Sequence, residues 1–279
     1  RPDGSIDLPA WDRLLERQLD AGIAALVVCG TTGEAATLSF DERMTLIERC
    51  VRTVDRRVPV IAGSGTNSTA SSIALSKAAQ SAGVDALLTV TPYYNKASQS
   101  GLVRHFSAIA DAADIPVILY NVPSRTGVSC TVQTYQKLAE HPNIVGVKEA
   151  SDDFDLIQDT LRLCPPDFTV WSGNDGSTTA IMALGGKGVI SVAANVAPRE
   201  MHELTQLCLE NRFSEAGALQ LKLHPLIRAL FCEVNPIPVK AAMELLGLCS
   251  GELRLPLCGI SERHLEQLAQ ALEPFRPAV

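Results

Sequence analysis

"VPVIAGSGTNSTASSIALSKAAQSAGVDALLTV", residues 58–90, contains two short apolar runs with one helical segment between them. Residues 58–63 and 84–90 are rich in β-branched and aliphatic residues, and the apolar residues of 69–82 have the spacing of a helix. A strand, a helix and a second strand in this order predict two parallel strands joined by a crossover helix. This unit therefore predicts an α/β fold built on a parallel sheet.

The same unit recurs along the first 210 residues. Further apolar runs occupy 24–30, 115–120, 143–148, 168–173 and 187–192, which gives seven predicted strands, and helical segments fit 9–21, 39–54, 100–113, 131–140, 153–163, 175–184 and 199–210. Nearly continuous apolar strands indicate a sheet that is covered on both faces, either a closed (β/α)₈ barrel or an open doubly wound sheet. The "GSGTNS" stretch (63–68) lacks the third glycine of a dinucleotide-binding loop, so the sequence favours the TIM barrel.

A closed barrel of this type needs eight strands, one more than the seven apolar runs. We therefore expect that the first barrel strand is missing from this sequence, which begins at Arg1 and almost directly with a helix. After residue 210 the alternation stops, and helical segments near 213–231, 237–247 and 261–273 predict a C-terminal helical appendage. The expected domains are a barrel catalytic domain over 1–210 and a helical domain over 211–279.

Composition excludes several classes of function. The 279 residues are 46% hydrophobic and carry a net charge of −7 without a long basic run, which argues against a nucleic-acid partner. The sequence shows no apolar stretch of membrane-spanning length and no secretory signal, so we expect no membrane and a cytoplasmic location. Eight scattered cysteines and five dispersed histidines predict reduced core thiols and no metal site.

The residues that end the predicted strands are the candidates for chemistry, because a barrel carries its active site at the carboxyl ends of its strands. Lys148 ends the run "NIVGVK", and although most strand-end lysines extend to solvent, burial would lower its pKa and make it a nucleophile that forms an imine with a carbonyl. Tyr120 would then shuttle protons or simply pack at the rim. Arg125 would bind a carboxylate or face solvent, and Thr31 and Thr32 would otherwise be plain turn residues.

Five motifs in order carry a resemblance to a known family: "GTTGE" (30–34), "LTVTPYYN" (88–95), "ILYNVPSRTG" (118–127), "VGVKEAS" (145–151) and "NPIPVK" (235–240). From about residue 5 to 273 the chain resembles the dihydrodipicolinate synthase family of the N-acetylneuraminate lyase superfamily. The resemblance implies a class I aldolase that joins pyruvate to aspartate 4-semialdehyde through a lysine Schiff base, without a cofactor or metal, in diaminopimelate and lysine biosynthesis. A sister aldolase of the N-acetylneuraminate lyase or keto-deoxy-sugar-acid type is the alternative.

The resemblance also implies roles for individual residues. Lys148 matches the Schiff-base lysine, and Tyr120 matches the proton donor and acceptor. Thr31 matches the hydroxyl that links Tyr120 to Tyr94. In this family Tyr94 reaches the active site of the neighbouring subunit across a tight dimer interface, and two such dimers form a homotetramer. The remaining matches concern substrate binding: Thr32 and Ile190 for pyruvate, Gly173 for a backbone position beside it, and Arg125 for the carboxylate of the second substrate. We expect "NPIPVK" to pack the appendage on the barrel, and Glu149 to make structural hydrogen bonds beneath the site.

Two departures from the family pattern are visible. The family's opening strand is missing here. Lysine-sensitive members line an effector cleft with a glutamate and a histidine, and those positions correspond to Ser71 and Arg43, although Asn67 and Tyr93 are retained. We therefore predict weak or no feedback inhibition by lysine.

Overall fold

The structure, a computed structural model, describes residues 1–275. Within that range it has six strands: β1 (Leu26–Val28), β2 (Val60–Gly63), β3 (Ala86–Val90), β4 (Val117–Asn121), β5 (Ile144–Glu149) and β6 (Thr169–Ser172). The helices are α1 (Leu8–Asp20), α2 (Phe40–Val54), α3 (Thr69–Ser81), α4 (Gln99–Asp111), α5 (Pro123–Thr126), α6 (Val132–Leu138), α7 (Phe154–Leu163), α8 (Thr178–Ala183), α9 (Pro198–Leu209), α10 (Phe213–Leu230), α11 (Ile237–Leu245) and α12 (Glu262–Leu272).

The six strands form one parallel sheet in the order β1-β2-β3-β4-β5-β6. Helices alternate with the strands, so the predicted α/β fold with a parallel sheet is confirmed. Because all strands run the same way, their carboxyl ends meet at one edge of the sheet. That edge carries the residues selected from the sequence.

The predicted seventh strand over 187–192 is wrong in its length. Val189 forms only an isolated parallel bridge with Ser172, supported by hydrogen bonds from Ser172 N to Gly188 O and from Ile190 N to Ser172 O, both 2.9 Å. The backbone of Val192 is already helical (φ −90°, ψ −44°) and leads into a 3₁₀ turn over Ala193–Asn195. The run therefore leaves the extended conformation before a ladder can build.

Alternate residues of the strands enter two different apolar clusters. Leu87, Leu119 and Val147 point toward the surrounding helices and belong to the larger cluster. Leu88 and Tyr120 point to the opposite face, into a smaller cluster. This alternation, which follows from the two-residue period of a strand, fixes which strand-end side chains share the second face.

A β-bulge interrupts β5 before its end. The register passes from the pair Val117 and Ile144 directly to the pair Ile118 and Gly146, so Val145 has no opposite residue. Gly146 has φ +154°, and a Cβ at this position would lie 2.0 Å from Thr169 O. Only glycine fits this close approach of the two strands, so Gly146 makes the bulge feasible.

The C-terminal helices pack on the end of the α/β unit. The apolar cluster of α10, α11 and α12 also contains residues of α8 and α9, among them Met182 and Leu204. The domain boundary at residue 210 stays a prediction from the sequence. All eight cysteines are unpaired, but Cys258 is exposed and thus not the core thiol that we expected.

None of the helices within residues 1–275 combines the length and the apolar character needed to cross a membrane.

Candidate active site

Lys148 and Tyr120 are neighbours at the carboxyl end of the sheet. The register of β4 and β5 pairs them directly, and Lys148 Nζ lies 4.3 Å from the centroid of the Tyr120 ring. Both side chains are buried, with exposed fractions of 9% and 7%. The two most specific residues predicted from the sequence are therefore brought together.

The environment of Lys148 favours a neutral amine. Burial lowers its pKa to about 8, the negative charge of Asp175 acts in the opposite direction, and the positive charge of Arg125 lowers the pKa further. Within residues 1–275 its ammonium group has no hydrogen-bond partner. About a tenth of this amine is thus unprotonated and nucleophilic at pH 7, several hundred times the fraction of a lysine with the ordinary pKa of 10.5.

Tyr120 is connected to the "GTTGE" loop. Burial raises the pKa of its hydroxyl, whereas a hydrogen bond with the Thr31 side chain and the charge of Arg125 lower it. The Thr31 contact places a second hydroxyl on the phenol beside Lys148. Two neighbouring hydroxyls can pass a proton, and a relay between Thr31 and Tyr120 stays a prediction.

Arg125 and Thr32 are linked by a residue that we had not assigned to the site. Arg125 lies on α5, a single turn that the sequence did not predict, and its Nη2 donates to Asn235 O (3.1 Å). The side chain of Asn235 donates through Nδ2 to Thr32 Oγ1 (3.0 Å), and its buried Oδ1 has no partner within residues 1–275. The "NPIPVK" segment, expected only to pack the appendage, therefore reaches both substrate-binding candidates.

Gly173 and Ile190 complete the same end of the sheet. Gly173 N donates to Glu149 O (2.7 Å), and a Cβ on Gly173 would lie 2.4 Å from that of Ala150. Ile190 packs against the small apolar cluster that contains Tyr120. Both predicted residues therefore lie beside the lysine and the tyrosine.

Tyr94 is the one predicted site residue that does not contact the others within this chain. Its side chain is 90% exposed, and its backbone is in the left-handed region (φ 73°), which is uncommon for a bulky residue. Within this one chain it makes no hydrogen bond with Thr31 or Tyr120. A single chain thus assembles seven of the eight predicted residues around one point.

Two carboxylates beside the site have different surroundings. Asp175 is almost fully buried, and it accepts hydrogen bonds from the Ser191 hydroxyl and from Val192 N and Ala193 N. It anchors the loop that follows Ile190. Asp175 is among the residues that follow the predicted strand 168–173, but we assigned it no role from the sequence. The carboxylate of Glu149 faces the helices on the other side of the sheet.

Glu149 accepts hydrogen bonds from Asn121 Nδ2 (3.0 and 3.2 Å), Tyr135 OH (2.7 Å) and Ser151 N (2.9 Å). The expectation of structural hydrogen bonds beneath the site is confirmed.

A family model described as "Dihydrodipicolinate synthetase family" matches residues 1–274 of this chain. The chain belongs to this family. The family membership predicted from the five motifs is therefore confirmed.

Relatives in the dihydrodipicolinate synthetase family cover nearly the whole chain. The 4-hydroxy-tetrahydrodipicolinate synthase of Thermodesulfovibrio yellowstonii is 48% identical over 269 residues, which are 96% of this chain and 92% of that protein. The same enzyme of Acetivibrio thermocellus is 49% identical over 273 residues, 98% of this chain and 93% of its own length.

Solved structures of dihydrodipicolinate synthases superpose closely on the chain. The enzyme of Aquifex aeolicus gives a TM-score of 0.96 at 45% identity and covers 98% of this chain and 93% of its own. A monomeric variant of dihydrodipicolinate synthase gives a TM-score of 0.95 at 45% identity, with coverage of 97% and 91%. The likeness in fold therefore extends from the sheet through the C-terminal helices.

Proposed function

We propose that this chain acts as a 4-hydroxy-tetrahydrodipicolinate synthase, a lyase that condenses pyruvate with L-aspartate 4-semialdehyde in lysine and diaminopimelate biosynthesis. The observation that carries the proposal is a buried lysine with a pKa of about 8 against Tyr120, at the carboxyl end of a parallel sheet. Relatives at 46–49% identity with this enzyme name support it.

In the first step the neutral amine of Lys148 attacks the keto carbon of pyruvate. A C–N bond forms, and the carbonyl oxygen leaves as water after taking one proton from the amine and one from the solvent, so the product is a protonated imine. Because this imine withdraws electrons, the pyruvate methyl group loses a proton and becomes an enamine carbon. That carbon then attacks the aldehyde of aspartate 4-semialdehyde and forms the new C–C bond, while the aldehyde oxygen takes up a proton.

Tyr120 and Thr31 are placed to move these protons. The Tyr120 ring lies under Lys148 Nζ, and the Thr31 side chain lowers the pKa of its hydroxyl. Arg125 would bind the carboxylate of the semialdehyde with its planar donor fork. Thr32, Gly173 and Ile190 would hold pyruvate.

Tyr94 would complete the relay from a second copy of the chain. Tyr94 is the central residue of a tight turn closed by a hydrogen bond from Asn95 N to Tyr93 O (2.9 Å), which accounts for its left-handed backbone. This turn leaves its side chain 90% exposed, and the exposure supports a role in contact with another subunit. We propose a tetramer built from two such dimers. Because one of the similar structures is a monomeric variant, gel filtration is a direct test of this part.

The proposal also covers the closure of the sheet and the C-terminal helices. We infer that the sheet is part of a (β/α)₈ barrel with a helical C-terminal domain, in which a further strand pairs with the free edge of β1. The single bridge at Val189 beyond β6 supports this closure. A reaction without cofactor or metal and a cytoplasmic location also stay predictions.

The test of the function combines trapping and turnover. Sodium borohydride with pyruvate should attach a pyruvate-derived group to the peptide that contains Lys148, and borohydride alone should not. Pyruvate with aspartate 4-semialdehyde should then turn over much faster than pyruvate with N-acetylmannosamine or a sugar-derived aldehyde. An adduct on another lysine, or a preference for the sugar aldehyde, would refute the proposal.

A further inference from the structure

The segment Thr31–Thr37, which carries the two threonines of the site, is held by residues far along the chain. Asn235 Nδ2 donates to Thr32 (3.0 Å), Lys240 Nζ to Glu34 Oε1 (3.0 Å), and Arg254 donates from its backbone N to Glu34 Oε2 (3.2 Å). The Arg254 side chain donates to Thr37 O (2.8 Å). Arg43 adds one hydrogen bond, to the carbonyl of Ala35.

Glu34 is the centre of these contacts and has a strained backbone. It lies between two 3₁₀ turns with φ 54° and ψ 31°, the left-handed region that a residue with a Cβ adopts only when its surroundings enforce it. Both oxygens of its carboxylate are engaged by the C-terminal region. Local hydrogen bonds from Glu34 N to Thr31 O (3.1 Å) and from Thr37 N to Glu34 O (3.0 Å) hold its backbone, and the C-terminal contacts hold its side chain.

The ion pair between Glu34 and Lys240 is shielded from solvent. The two side chains are 15% and 22% exposed, so water and salt screen their attraction less than that of a surface pair. Loss of the ammonium would remove the ion-pair partner of a mostly buried carboxylate and leave it the backbone N–H and the more distant charge of Arg254, which favours movement of Glu34 toward water. Thr31, three residues earlier, would move with it.

We propose that the Glu34–Lys240 ion pair is a positioning device that holds the Thr31 side chain beside the Tyr120 hydroxyl. Lys240 touches neither substrate nor the reacting atoms, and it acts through Glu34 on the proton relay. The C-terminal helix α11 thereby takes part in proton transfer at a distance. This inference rests on the proposed function, because it concerns the same relay.

The experiment separates imine formation from proton transfer in the full chain. Borohydride trapping with pyruvate reports the imine, and exchange of the pyruvate methyl protons with D₂O, followed by NMR, reports the relay. We expect Lys240→Met to slow the exchange about tenfold with normal trapping, because misplacement of a relay group affects only the proton step. Lys240→Arg should restore most of the rate.

Lys222→Met is the matched control, since Lys222 is an exposed lysine of α10. A second comparison uses Thr31→Val: if Lys240 acts through Thr31, Lys240→Met should cause no further loss in that background. Equal exchange rates for Lys240→Met and Lys222→Met would overturn the inference, as would additive losses with Thr31→Val.

If Lys240→Met fails to fold by circular dichroism, Glu34→Gln replaces it. This variant keeps the size of the side chain and removes its charge, and we expect about threefold slower exchange. Wild-type exchange in Glu34→Gln would then refute the inference. A wild-type chain without trapped imine would overturn the proposed function, and this inference with it, so the two failures are distinguishable.

Discussion

Two adjacent residues at the end of β5 show how the two faces of one strand serve different purposes. Lys148 and Glu149 are both buried, and burial shifts both pKa values toward the neutral form, downward for the amine and upward for the carboxyl. Lys148 has no hydrogen-bond partner among residues 1–275, whereas three residues donate to Glu149. A buried polar group left without partners is a group available to a substrate, and a fully partnered one contributes to stability.

If the two faces of β5 serve these different purposes, substitutions on the face of Lys148 should change activity and those on the face of Glu149 should change stability. Lys148→Met should lower kcat by at least about 10³-fold, because the imine cannot form. The free energy of unfolding should stay the same or rise by up to about 1 kcal/mol, because a buried ammonium is removed. Steady-state turnover and urea denaturation measure the two effects, with Lys137→Met on exposed α6 surface as the control. A markedly destabilised Lys148→Met would contradict the comparison.

Tyr120→Phe should lower kcat about 10²-fold, the usual contribution of a positioned acid or base. The ring that packs against Lys148 is kept, so the borohydride-trapped imine should form normally. Single-turnover kinetics with aspartate 4-semialdehyde would locate the loss in the proton-transfer steps. Loss of the imine itself would instead assign Tyr120 to the activation of the lysine.

The pH dependence tests the free amine directly. With a Lys148 pKa of about 8, the rate of imine formation should fall about tenfold per pH unit below 8 and level off above it. Since the ordinary value of 10.5 applies to the unfolded chain, that state binds more protons between pH 8 and 10.5, and the contribution of this group to stability rises over that window. Trapping rates from pH 6 to 11 measure the first effect, and a plateau reached only near pH 10.5 would contradict it.

On the opposite face, Glu149→Gln should lower the free energy of unfolding by about 1–3 kcal/mol, because an amide NH₂ then meets groups that donate. Tyr135→Phe removes one donor and should cost about 1 kcal/mol. The kcat of the folded fraction should stay within about threefold of wild type in both variants. A large loss of kcat without loss of stability would place Glu149 in the chemistry and show that both faces of β5 serve catalysis.

The smallest expected effect is that of added lysine on the steady-state rate. Arg43 donates to the carbonyl of Ala35, and Ser71 lies exposed on α3, where the family pattern expects a histidine and a glutamate. Steady-state rates should therefore change little in millimolar lysine. Inhibition at submillimolar concentration would refute this prediction.

The strands and the site lysine could be predicted from the sequence because their signals are local. Apolar runs and the helical spacing between them predicted six strands and the long helices, and the parallel topology brought Lys148, Tyr120 and Arg125 to one edge. The one-turn helix α5 escaped prediction because four residues carry no periodicity. The run at 187–192 was predicted as a strand because composition does not show where the backbone turns helical.

The contacts that refine the site were beyond sequence reasoning because they join distant segments. Asn235 meets Thr32 across 203 positions, and Lys240 meets Glu34 across 206. The sequence immediately around each of these residues gives no sign of its distant partner. Their role depends on how the C-terminal helices pack on the sheet, which no local pattern encodes.

Because of the bulge at Val145 and Gly146, a mutation outside the codon for Lys148 can change which side chain faces the site. In a regular six-residue strand, alternation counted from Ile144 would turn Lys148 toward the helices and present Glu149 to the site. A single-nucleotide change in the codon for Gly146 could therefore exchange an amine for an acid while the codon for Lys148 stays intact. Deletion of the codon for Val145 would instead restore a regular strand and leave the amine on the face of Tyr120.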